Sequence, residues 1–97
     1  MMLIVVSYDV ATRTPEGRRR LRHAAKECLN FGQRVQNSVF ECRVDPEQWA
    51  DLRHRLLKLY DSNEDSLRFY FLGANWKGKT EHHGTKKTLD LDDPLLV

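Results

Sequence analysis

Met2 to Tyr8 is almost unbroken apolar sequence with β-branched residues at its centre. A short run of this kind predicts a central strand buried on both faces. It ends at Asp9, and a loop over 11–14 follows. Thr14-Pro15-Glu16 then supplies a helix start: a hydroxyl N-cap, a proline whose missing N–H costs nothing there, and an acid. Gly17 weakens that start slightly. Leu21, Ala24, Ala25, Cys28 and Leu29 recur at helical spacing as one apolar stripe. Arg18, Arg22 and Lys26 follow one another at four-residue intervals on another stripe. Asn30 and Gly32 read as the stop.

From Gln33 to Val44 the chain reads as extended, with Val35, Val39, Phe40 and Val44 supplying β-propensity. Asn37-Ser38 marks a tight turn within it. Asp45-Pro46-Glu47-Gln48 is a second helix start with a capping-box pattern. Trp49, Leu52, Leu56, Leu59 and Tyr60 form its apolar stripe. Asp61 to Ser66 is polar and predicts a loop, and Leu67 to Leu72 predicts a further strand ended by Gly73. Strand, helix, extended hairpin, helix, strand is the order of a split βαβ unit. The predicted fold class is therefore α+β, a ferredoxin-like βαββαβ sandwich.

That last strand is apolar on both faces: Leu67, Phe69 and Phe71 on one, Tyr70 and Leu72 on the other. Two helices cover only one face of such a sheet, so the other needs a partner, most simply a second copy of the chain. The sequence thus predicts a homodimer. Beyond Gly73, Trp76 to Lys87 is polar and loop-like, and Leu89, Leu91, Leu95, Leu96 and Val97 return to apolar character. The domain reading is one unit, 1–97, with a core over 1–73 and an extension over 74–97. The end of the extension is expected to dock as a short C-terminal strand or clamp, on its own subunit or across the dimer.

Composition sharpens this picture in two places. At 97 residues, 40% hydrophobic and 31% charged, the chain fits one small folded domain. The net charge of +2 is bland, but its distribution is not. Arg13, Arg18, Arg19, Arg20, Arg22, Lys26 and Arg34 face only Glu16 and Glu27 between residues 10 and 34. Such a basic stretch suits a polyanion, or an ordinary solvated helix. Cys28 and Cys42 have no metal-ligand spacing and read as buried thiols in a reducing cytoplasm, with no signal or membrane segment.

Candidate chemistry centres on Asp9, a carboxylate directly after a buried strand. Such a residue is commonly a turn-former. In a dimer whose strands meet near the two-fold axis, however, two such carboxylates would face each other and call for a cation between them. Magnesium takes one or two carboxylates and completes its shell with water and phosphate oxygens. Arg18, Arg20 and Arg34 are candidate phosphate contacts, because a guanidinium meets phosphate oxygens two at a time. Tyr8 and Phe40 read equally as shaping the site or packing the core. His82 and His83 read as exposed loop residues, and His23 and His54 as surface groups. Ser7 has no visible triad partners.

Several segments, in this order, carry a resemblance: the strand running into Tyr8-Asp9-Val10, the arginine-rich helix, Arg34-Val35-Gln36-Asn37-Ser38-Val39-Phe40-Glu41, and Asp65-Ser66-Leu67-Arg68-Phe69-Tyr70. The chain resembles the smaller of the two universal CRISPR adaptation proteins. Its ending, Gly84 through Val97, is similar to the subtype I-C branch. The resemblance implies a ferredoxin-like homodimer and a metal-dependent endonuclease acting on double-stranded DNA or single-stranded RNA, with DNA favoured in this branch. It implies Asp9 as the magnesium and catalytic position, with manganese as a substitute and Tyr8 beside it as catalytic. It further implies phosphate contacts at Arg18, Arg20 and Arg34, a site-shaping Phe40, and a partner integrase bridged by the dimer. Two other readings are a non-catalytic DNA-binding scaffold and a toxin-like endoribonuclease.

Overall fold

The computed structural model describes residues 1–73 and 80–85. The elements run β1 (Met2–Asp9), α1 (Pro15–Leu29), β2 (Gly32–Gln36), β3 (Val39–Val44), α2 (Pro46–Leu59), β4 (Ser66–Leu72) and β5 (Thr80–Gly84). The five strands form one sheet in the order β2-β3-β1-β4-β5, every neighbouring pair antiparallel. This is the ferredoxin-like arrangement with a fifth strand on the β4 edge.

Both helices start where their caps dictate. The Thr14 side chain accepts from the Gly17 amide, and Asp45 and Gln48 complete a reciprocal capping box. Gly17 does more than weaken a helix start: a Cβ there would stand 1.7 Å from the Ala11 carbonyl oxygen, so the residue lets the β1–α1 loop close onto α1.

Alternation along β1 sorts the two faces of the sheet. Ile4, Val6 and Tyr8 are fully buried beneath the helices, while Leu3, Val5 and Ser7 lie half-buried on the other face. The register places Cys42 and Phe40 of β3, and Phe71, Phe69 and Leu67 of β4, on the helix side with them. Ala24, Ala25 and Cys28 of α1 and Leu52 and Leu56 of α2 close the core from above. Trp49 sets its indole edge-on against Phe69 and Phe71, with centroids 4.8 and 5.4 Å apart. The opposite face carries Leu3, Val5, Tyr70 and Leu72, the last 38% exposed.

Several expectations are corrected. Leu29 is 48% exposed rather than part of the inward stripe. Gly32 does not stop the helix but opens β2, where a Cβ would lie 1.8 Å from the Glu41 carbonyl oxygen. The stretch read as loop-like contains β5, paired with β4 from Tyr70↔Thr80 to Ser66↔Gly84. His82 and His83 accordingly sit half-buried in a strand. β1 is central, but one of its faces is only half-buried. The apolar ending from Leu89 to Val97 lies outside the described residues. Among the described residues, no helix is long and apolar enough to cross a membrane.

Candidate active site and nucleic-acid interface

Asp9 is exposed at the end of β1, directly opposite Ser66 in β4. A shallow recess of about 210 Å³ opens beside it, lined among others by Asp9, Thr12, Arg34, Asn37 and Ser38. One of the predicted phosphate contacts lines this recess, and a second bonds to a residue of its wall. Arg34 lines it, donating from Nε to the Asn37 carbonyl at 2.9 Å. Its guanidinium carbon stands 5.3 Å over the Phe40 ring. A register shift in β2 between Arg34 and Gln36 accompanies this placement. Arg18, one helical turn into α1, donates from Nη1 to the Thr12 carbonyl at 2.9 Å and is exposed. Arg34 thus shares the recess with an exposed carboxylate, and Arg18 is fastened to the Thr12 carbonyl on the recess wall. Phe40 is itself fully buried and acts as the floor on which Arg34 rests.

Tyr8 also lines the recess, but its hydroxyl and Arg20 meet at Asp65. One residue before Asp9 in a strand means the opposite face, and the Tyr8 ring is fully buried. Its hydroxyl donates to Asp65 Oδ2. Arg20 closes a fork on the same carboxylate, Nε to Oδ2 at 2.8 Å and Nη2 to Oδ1 at 3.0 Å. The Asp61 amide adds a further bond to Oδ2 at 2.9 Å. Strand alternation thus turns the Tyr8 side chain to the helix side of the sheet, and Arg20 spends Nε and Nη2 on Asp65 while its side chain stays 20% exposed.

Asp65 is what the sequence reading missed. It is 0% exposed, although the sequence places it in a polar loop. Burial raises its pKa, but the bonds from Arg20, Tyr8 and the Asp61 amide outweigh burial and hold it below the usual carboxylate range. Burial and the neighbouring carboxylate in turn push the Tyr8 phenol well above its ordinary value. A signal for the pairing existed. Arg20 lies four residues before buried Ala24 and eight before buried Cys28, hence on the inward stripe of α1. An arginine there needs a buried acid.

The donor set for a metal is sparse. Among the described residues, no three His, Cys, Asp or Glu side chains gather as a metal site. Asp9 is an exposed carboxylate, and a hard ion held there would draw its other ligands from water, phosphate oxygens or a second copy of the chain.

The sequence model of the family described as "CRISPR associated protein Cas2" matches residues 2–80. A protein of Chlorobaculum tepidum named CRISPR-associated endoribonuclease Cas2 is 60% identical over 99% of this chain and 100% of its own length. A Halalkalibacterium halodurans protein named CRISPR-associated endonuclease Cas2 is 54% identical over 98% of this chain and 99% of its own. The crystal structure of Streptococcus pyogenes Cas2 at pH 6.5 superposes with a TM-score of 0.73 at 58% identity, covering 78% of this chain and 92% of that one.

Proposed function

Given that this chain belongs to the family of CRISPR-associated protein Cas2, we propose that it is a metal-dependent endonuclease of CRISPR adaptation whose catalytic carboxylate is Asp9. The observation that carries the reading is the exposed Asp9 at a strand end, with Arg34 lining the same recess and Arg18 close by. Three similar relatives are named endoribonucleases and another an endonuclease. Single-stranded RNA and double-stranded DNA are therefore both substrates to test, and the I-C-like ending, Gly84 through Val97, leads us to favour DNA.

In this reading the active form is a homodimer. The half-buried Leu3, Val5 and Tyr70 and the exposed Leu72 form the face that a second copy would cover. Asp9 from each copy would hold a magnesium ion, or manganese in its place. Such an ion neutralises phosphodiester charge and lowers the pKa of a bound water. Arg34 and Arg18 bind and orient the phosphates on either side of the cleaved bond. The free, buried Cys28 and Cys42 suit a reducing cytoplasm.

Cleavage of plasmid DNA and of single-stranded RNA is to be measured for wild-type and Asp9→Asn protein, with magnesium and with EDTA. We expect cleavage to disappear with either change. Cleavage by Asp9→Asn equal to wild type would refute the assignment. The exposed basic face of α1 favours one further reading, a dimeric scaffold that holds DNA and an integrase partner without cutting. That reading gains if the wild type binds DNA and cleaves neither substrate.

A further inference from the structure

The placement of Tyr8, Arg20 and Asp65 has a reading of its own, and it rests on the assignment of Asp9 above. We infer that Asp65 is a positioning residue for Asp9, and that Tyr8 and Arg20 serve the site through Asp65 rather than by touching phosphate.

The geometry is a lock between three elements. Tyr8 precedes Asp9 on β1, Asp65 precedes Ser66 on β4, and Asp9 and Ser66 are cross-strand partners. The Tyr8–Asp65 bond therefore ties the two strands together on the helix side of the sheet, level with the carboxylate that works at the strand end. Arg20 fastens α1 to the same point with its two-pronged bond. From the other direction the Tyr8 amide donates to the Ser38 carbonyl at 2.9 Å, so the β2–β3 turn holds the same residue by its backbone. The main chain of Asp65 is held as well: its amide donates to the Asp61 carbonyl at 2.8 Å and its carbonyl accepts from the Thr85 amide at 3.0 Å. Asp9 itself is the last residue of a strand, where chains fray unless tied. The lock supplies that tie one residue before it. A fully buried carboxylate that already accepts from an arginine fork, a phenol and an amide is out of a substrate's reach.

The test uses the full chain and the variants Asp65→Asn, Tyr8→Phe, Arg20→Gln and Arg18→Gln. Three measurements are made: kcat and KM for cleavage, the salt dependence of nucleic-acid binding, and amide hydrogen exchange along β1. We expect Asp65→Asn and Tyr8→Phe to lower kcat by roughly 10- to 100-fold, the scale of a small misplacement of a catalytic group. KM should stay within about twofold. The double variant should lose little more than the worse single one, because both break one device. Arg20→Gln should leave the salt slope at its wild-type value, whereas Arg18→Gln should flatten it by roughly 0.7–0.9. Tyr8→Phe keeps the ring in the core and guards against a result that reports only misfolding. A slope that flattens for Arg20→Gln as it does for Arg18→Gln overturns the inference. So does a kcat unchanged in both Asp65→Asn and Tyr8→Phe. If the wild-type protein cleaves neither substrate, the nuclease reading fails separately and exchange decides. Acceleration at the Tyr8 and Asp9 amides beyond that at Ile4 supports the lock. Uniform acceleration, or none, overturns it.

Discussion

Arg18 and Arg20 are two residues apart in one helix and live in different chemical worlds. Two positions on a helix are about 200° of rotation, so one guanidinium faces solvent near Asp9 and the other points into the sheet. The outward region is built of cations with backbone partners: Arg18 on the Thr12 carbonyl, Arg34 on the Asn37 carbonyl. Neither is neutralised by these contacts, and both can exchange water for phosphate. The inward region is a set in which a buried anion, a part-buried cation and a buried phenol satisfy one another. The lesson is that a basic run cannot be valued by counting charges. A charge folded inward onto a buried acid is already committed to the fold.

The comparison breaks most sharply at Asp65. Asp65→Ala leaves the part-buried Arg20 charge and the buried Tyr8 hydroxyl without their acceptor, and the expected loss of stability is about 3 kcal/mol, measured by urea unfolding. Tyr8→Phe removes one donor and keeps the ring, so the same measurement should show about 1–2 kcal/mol.

Acid sharpens the contrast in a third way. The folded pKa of Asp65 lies below its unfolded value of about 3.9. Its contribution is therefore fully present above that pH and is lost as pH falls through the folded pKa. Glu81 has the same sign: burial raises its pKa, but Arg53 and His83 outweigh burial and lower it. Stability followed across pH 5 to 2 should fall for the wild type, and the Asp65→Asn variant should show a shallower decline. Arg53→Ala loosens β5 from α2 by removing the partner of Glu81, but this pair is partly solvated. We expect less than about 1 kcal/mol. Arg18→Gln marks the other end of the scale. Its effect on unfolding should stay within about 0.5 kcal/mol while nucleic-acid binding weakens and loses salt sensitivity.

The fold was readable in the sequence wherever the signal is local. Proline after Thr14 and after Asp45 marks both helix starts, the Asn37-Ser38 turn falls where the hairpin bends, and the apolar spacing of α2 predicts Leu52 and Leu56 in the core. What was illegible depends on distant partners. The polar segment from Asp61 to Asp65 looks solvated because its composition is that of a loop. Asp65 is buried only because Arg20 and Tyr8, 45 and 57 residues away, converge on it. β5 carries His82, His83 and Glu81 with no apolar alternation, and its strand character comes from the open edge of β4. Asp9 itself was legible as a strand-end carboxylate. Which arginines share its surroundings was not, because that depends on the phase of α1 against the sheet.

The position of β1 has a consequence for synthesis. As the first strand made, it lies at the centre of the sheet and pairs with β3 on one side and β4 on the other. On the ribosome it waits for residues 66–72 before its second edge is covered, and for Asp65 before its end is tied. Long-range pairing of this kind slows folding, and the exposed edge of the nascent strand is open to wrong partners in the meantime. Chains interrupted before β4 would carry the carboxylate of Asp9 on an unfinished sheet, so the site becomes competent only after β4 has been made.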